Sequence, residues 1–229
     1  TAQVIDFKVT NFALLMVAVG FAIQFFAKLD RKIAIGRLIM GLGLIFFGMN
    51  IMSEGMAPLR DYEPFLDLMV QMQNPFLGIL VGFVFTALVQ SSSATIGIII
   101  VLASNGFLAL PAGIALAMGA NIGTTVTALL ATIGKSREAK RTGLIHLQFD
   151  LLGVLIWLPF IPELSQLAIY LSTHDVVQDG ASMAYLAENT PREIANANTI
   201  FNLISLIIFL PMIPIFLFVV NKFLIVLED

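Results

Sequence analysis

Cysteine is absent from the 229 residues, histidine occurs twice and tryptophan once. Without thiols there are no disulfides, thiolate metal sites or cysteine nucleophiles, and two histidines offer little for a zinc cage. Charge is scarce as well: Asp, Glu, Lys and Arg make up 12% of the chain, about half the usual share in a soluble domain. Fifteen acidic residues against twelve basic ones give a net charge of −3. With no basic stripe to neutralise phosphates, nucleic acid is excluded as a main partner. What fills the space is apolar, 59% of residues with a mean hydropathy of +0.95. That composition describes a chain dissolved in a bilayer.

A bilayer core about 30 Å thick needs roughly 20 mostly apolar residues per spanning helix. Residues 9–27 and 33–52 meet this requirement, the first ended by Lys28, Asp30, Arg31 and Lys32, the second by Ser53 and Glu54. No short apolar run ends in a small-x-small cleavage site, so neither reads as a signal peptide, and an opening on Thr1 suggests a piece of a longer chain. Residues 53–73 are mixed, with Leu59, Tyr62, Leu66 and Met69 at helical spacing, which predicts a helix lying in the interface. In 76–104 the two apolar arms would be only about 21 Å and 16 Å long as helices. Between them stands Gln90-Ser91-Ser92-Ser93. Neither arm can cross, so the segment reads as a re-entrant hairpin with its polar tip inside the membrane. Residues 107–133 can cross, with a break expected at Gly119-Ala120-Asn121-Ile122-Gly123-Thr124-Thr125. A basic loop at 135–141, a crossing at 142–161, a polar extracytoplasmic segment at 162–193 and a last crossing at 194–220 complete an all-α integral membrane protein.

Charge placement supports this parity. With 28–37, 135–141 and Lys222 on the cytoplasmic side, nine of twelve basic residues obey the positive-inside rule, and Lys8, Arg60 and Arg192 do not. A full crossing at 76–104 would put the two basic loops on opposite sides.

Irregular backbone at membrane depth persists only where it lines a cavity or binds something. Each expected break makes a helix C-terminus whose carbonyls suit a cation and a helix N-terminus whose amides suit an anion. Ser91, Ser92, Ser93, Thr124 and Thr125 stand at those N-termini, where their hydroxyls either cap the helix or turn toward a ligand. Such a pair of breaks is the arrangement of an ion-coupled oxyanion transporter. The plainer reading is packing: both Gly78 to Gly82 and Gly119 to Gly123 match G-x-x-x-G, the small-residue pattern of closely packed helices. Asp150 is the one carboxylate deep in a span, with His146 one turn before it and Gln148 nearby. It is either a cation ligand or a local partner of His146. Asn196, Asn198 and Asn202 face the cavity or bond to neighbouring helices; for the first two the structural role is expected.

The strings Thr86-Ala87-Leu88-Val89-Gln90-Ser91-Ser92-Ser93-Ala94 and Gly119-Ala120-Asn121-Ile122-Gly123-Thr124-Thr125-Val126-Thr127-Ala128, with His146, Phe149, Gly153 and Phe201-Asn202, closely resemble the bacterial branch of the type II sodium/phosphate cotransporters. The resemblance runs from about residue 41 to 214. It implies sodium-coupled uptake of inorganic phosphate by a multi-pass protein of the bacterial inner membrane. It places phosphate at Ser91, Ser92, Ser93, Thr124 and Thr125, and sodium at Gln90, Ser91, Asn121 and Thr124, with His146 and Asn202 lining the cavity; Asp150, as a carboxylate deep in a span, is a further expected sodium ligand. Sodium is the coupling ion; no other cofactor or metal is implied. Family members carry the QSSS repeat twice in inverted halves, and this chain holds one copy, most like the second. Completion by a second repeat half is therefore expected, from the same longer chain or from a homodimer partner. Asp150 and Asn198 depart from the family pattern, which usually has Asn and often His there.

Other functions are carriage of a different oxyanion or a non-transporting structural or sensory membrane subunit. An intramembrane serine hydrolase built from the triplet and His146 lacks a G-x-S-x-G turn, so no enzyme is expected.

Overall fold

The computed structural model describes residues 12–172 and 183–228, with side chains described as far as Lys222. Residues 9–11 of the first expected span, and Lys8, lie outside the described residues. Helices α1 (Ala13–Phe26) and α2 (Asp30–Gly55) form an antiparallel hairpin. Their backbones touch because glycines leave nothing between them: a Cβ on Gly20 would lie 2.8 Å from Met40 Cα, and one on Gly43 2.8 Å from the Val17 nitrogen.

The segment expected as a single interfacial helix over 53–73 is instead three pieces. Residues 53–55 end α2, a 3₁₀ turn covers Ala57–Asp61, and α3 covers Glu63–Gln71. Pro58 and Pro64 sit at the starts of the last two. A proline has no N–H to continue a preceding helix, so each resets the chain. Helix α3 then meets α4 (Pro75–Val89) at 106°. Asn74 starts α4 by accepting a hydrogen bond from the Phe76 N–H at 3.0 Å.

Helices α4, α5 (Ser92–Ser104) and α6 (Leu110–Ala131) are the centre of the fold. A Cβ on Gly78 would meet Ala115, one on Gly82 the Leu116 carbonyl, one on Gly119 the Phe83 nitrogen and one on Gly123 the Phe83 oxygen. Contacts that rise together in number mean that α4 and α6 run parallel. Residues 112–120 of α6 are buried throughout. In lipid this tight packing, and not exclusion from water, holds helices together, which is why small residues dominate the seam. Large apolar side chains such as Phe26, Phe76 and Leu88 are exposed.

The expected break in the 107–133 span is absent: α6 is one helix of 22 residues through Gly119-Ala120-Asn121-Ile122-Gly123-Thr124-Thr125. Both glycines are used for close approach to α4, and the threonine hydroxyls donate to their own helix, Thr124 to Ala120 O at 3.0 Å and Thr125 to Ile122 O at 2.7 Å.

Helix α7 (Arg137–Trp157) passes through a 3₁₀ turn at Leu158–Phe160 into α8 (Ile161–Ser172). Helix α9 (Met183–Phe209) passes through another at Leu210–Met212 into α10 (Ile213–Glu228). The segment read as a polar stretch over 162–193 is thus helical at both described ends, and 173–182 lie outside the described residues. Ile161, Leu164, Ser165 and Ala168 are the buried face of α8, at helical spacing. Among the described residues four helical stretches are long and apolar enough to cross a membrane, and five if α3 and α4 count as one bent span.

The two basic turns fall at one end of the molecule. Asn105, just past α5, donates to Ser53 Oγ near the end of α2, while Phe46 shares a core with Ile96 and Ile100, so α2 runs alongside α5 with its start toward the 90–91 turn. Helix α6, parallel to α4, ends toward that same turn. Residues 28–37 and 135–141 therefore share an end, and Arg60, which donates to Asn105 Oδ1 at 2.9 Å, marks the opposite one.

Candidate functional site

The site is built around the turn between α4 and α5. Gln90 has φ of 59°, the one non-glycine residue with positive φ among the described residues. An L residue held in this left-handed conformation costs about 1–2 kcal/mol. Its N–H still closes the last turn of α4 on Thr86 O at 2.7 Å. Ser91 then caps α5, its Oγ accepting from the Ala94 N–H at 3.3 Å. The first amide groups of α5 have no carbonyl of their own helix to meet, so a positive dipole end opens at Ser92 and Ser93.

Two buried hydroxyls hold the turn in place. Thr86 Oγ1 donates to Thr95 Oγ1 at 2.8 Å, and Thr95 Oγ1 donates to Ser91 O at 3.1 Å. On one straight helix these threonines would be about 13 Å apart, so the bond requires α5 to fold back along α4. Behind Thr86 stands Gly123, where a Cβ would lie 2.7 Å from Phe83 O. Sequence reasoning missed Thr86 and Thr95. The signal was there: each lies four residues from the Gln90–Ser91 junction on its arm, within one helical turn.

The other candidates lie on α6, α7 and α9. Asn121 Nδ2 and Thr127 Oγ1 on α6, and Gln148 Oε1 on α7, are buried atoms with no hydrogen-bond partner. Thr125 is fully buried and, like Thr124, spends its proton on its own helix. His146 Nε2 meets Asp150 Oδ2 at 3.1 Å, with the carboxylate side chain 11% exposed and the imidazole 40%. With that nitrogen committed to a carboxylate, His146 is not set to activate a serine. Phe149 packs on Phe209 and Trp157 donates to Ser205 Oγ at 3.1 Å, fixing α7 against α9. Asn202 is exposed and donates to Asn198 O at 2.7 Å within α9, whereas Asn196 reaches Ser172 Oγ at 2.6 Å and ties α9 to α8. No three His, Asp or Glu side chains gather as a metal cage among the described residues. Oxygen atoms and amide groups are what this region offers.

The fold and this turn define a class, that of all-α, multi-pass membrane proteins with a helical hairpin turning at polar residues. The family model described as Na+/Pi-cotransporter matches residues 1–54 and 63–173, and the chain belongs to that family, one of transporters and not of enzymes. It is 30% identical over 183 residues to the uncharacterized protein YqeW of Bacillus subtilis, covering 80% of this chain and 55% of YqeW. It is 35% identical over 136 residues to human sodium-dependent phosphate transport protein 2B, covering 55% of this chain and 20% of that protein. A provisionally named inorganic phosphate export protein, YjbB of Salmonella typhimurium, is 27% identical over 172 residues, 75% of this chain and 32% of YjbB. The chain thus spans about half of YqeW and a third or less of the other two. No solved structure matches.

Proposed function

We propose that this chain carries inorganic phosphate across the bacterial inner membrane in a sodium-coupled uptake cycle, with phosphate held at the α4–α5 turn. The observation that carries the reading is the capped start of α5 beside a left-handed Gln90, an anion-suited helix end inside a protein of this family. Ser91, Ser92 and Ser93 would present hydroxyls and amides to the phosphate oxygens. Because α6 is continuous, it supplies no second helix N-terminus, and Thr124 and Thr125, with their protons spent, present only lone pairs. They therefore suit sodium better than phosphate, together with Gln90, Ser91 and Asp150. The free Nδ2 of Asn121 is a donor, which suits the anion side; its carbonyl oxygen remains a sodium ligand. His146 sets the position of Asp150, and Asn202 lies on the outer face of α9, where a second repeat half would complete the cavity.

Radiolabelled phosphate flux in proteoliposomes tests this, with sodium and potassium gradients in parallel. The chain, alone or joined to a second QSSS half, should move phosphate only with sodium, and Ser92→Ala should abolish it. Flux indifferent to sodium would sink the coupling; no flux in either form would favour a structural or sensory subunit.

A further inference from the structure

The segment 190–197 of α9 is the most deeply buried part of that helix, and it holds a carboxylate. Glu193 is 2% exposed and its Oε1 has no hydrogen-bond partner; Thr190, 1% exposed, has a hydroxyl in the same condition. At i, i+3 the two side chains share a face of the helix. Pro191 stands inside α9. Lacking an N–H, it removes the donor that the Ala187 carbonyl would ordinarily meet one turn earlier. Three oxygens in two helical turns are thus left without their usual donors. The surroundings provide no compensation: Ile194, Ala195 and Ala197 are at most 1% exposed, and no cation pairs with Glu193 among the described residues.

We propose that Glu193, Thr190 and the Ala187 carbonyl form a sodium site, separate from the α4–α5 turn. Burying an uncompensated carboxylate is costly, and a hard cation neutralises it while using hydroxyl and carbonyl oxygens. One negative charge selects a monovalent ion, since a divalent one would leave net positive charge in an apolar interior. Three compact oxygen donors favour sodium over the larger potassium. Gly106 lies against Met183 and Gly113 against Ile194, so α9 rises alongside α6 and Glu193 stands beside the first turn of α6. This is the end marked by Arg60, away from the basic turns and from Gln90. The site is therefore placed to meet sodium entering from the side opposite those turns.

The test is radioactive sodium binding to the purified chain in nanodiscs without phosphate, with choline or potassium as competitor. Glu193→Gln should bind one sodium fewer than the parent chain, while Gln90→Ala, aimed at the turn, should keep the Glu193 component; each site can thus fail alone. Thr190→Val, which retains the carboxylate, should raise the half-saturating sodium concentration several-fold with an unchanged thermal midpoint in potassium. It keeps the test decisive if Glu193→Gln does not fold. Unchanged stoichiometry in Glu193→Gln, unchanged affinity in Thr190→Val, or equal competition by potassium overturns the proposal.

Discussion

Thr86 and Thr95 act on the α4–α5 turn through two hydroxyl protons passed in sequence toward Ser91 O. Their deletions are not equivalent. Thr86→Val removes the first donor and should cost about 1 kcal/mol. Thr95→Val removes both the acceptor for Thr86 and the bond to Ser91 O, and a buried hydroxyl left unpaired raises the cost to about 1–3 kcal/mol. Thermal unfolding should therefore rank Thr95→Val below Thr86→Val, and under the proposed function, with the anion at this turn, phosphate flux should fall in the same order. The His146–Asp150 pair has a similar asymmetry. Asp150→Asn leaves an acceptor for the imidazole, whereas His146→Ala leaves a nearly buried carboxylate alone, so the second should lower the thermal midpoint more. If Asp150 holds sodium, Asp150→Asn should also raise the half-saturating sodium concentration, which a purely local ion pair would not do.

For the helices, the glycines of α6 mark the boundary between what the sequence shows and what it conceals. The hairpin was legible because two apolar arms too short to cross flank a run of polar residues, a pattern that has few other uses in a membrane. The expected break at Gly119-Ala120-Asn121-Ile122-Gly123-Thr124-Thr125 was not legible, because glycine serves both an interrupted helix and a close crossing. Only the position of α4 decides between them. Helix α8 was hidden among Pro162, Glu163 and Gln166, although its buried positions follow the helical period. Thr190 and Glu193 went unremarked because they stood in a stretch read as polar and outside the membrane. The seam predicts a sharp contrast between glycines. Gly123→Ala would bring a Cβ within 2.7 Å of Phe83 O and should cost about 1–3 kcal/mol by overpacking. Gly48→Ala, with nothing within 4 Å, should be neutral or stabilise α2 by about 0.5–1 kcal/mol. Thermal midpoints of the two variants check this.

The whole molecule has two unlike ends, and the absence of cysteine makes the difference directly measurable. Lys28→Cys and Ser136→Cys should react with a membrane-impermeant thiol reagent from one face of the membrane, the cytoplasmic one by the positive-inside rule. Asp61→Cys, beside Arg60, should react from the other. Labelling of Lys28→Cys and Ser136→Cys from opposite faces would contradict the shared end on which the expected topology stands.

The seam between α4 and α6 also has a mechanical meaning. Two helices interlocked through Gly78, Gly82, Gly119 and Gly123, with backbone and small side chains such as Ala115 and Thr86 filling the seam, have little room to slide or hinge against each other. The turn at Gln90 is welded to a rod 22 residues long. The proposed cycle exposes phosphate first to one side and then to the other, and in it the turn would not swing alone as a gate. In the proposed carrier, hairpin and rod would then travel as one lever, with the joints of the machine at its outer contacts, where the α1–α2 pair and the α7–α9 helices meet it.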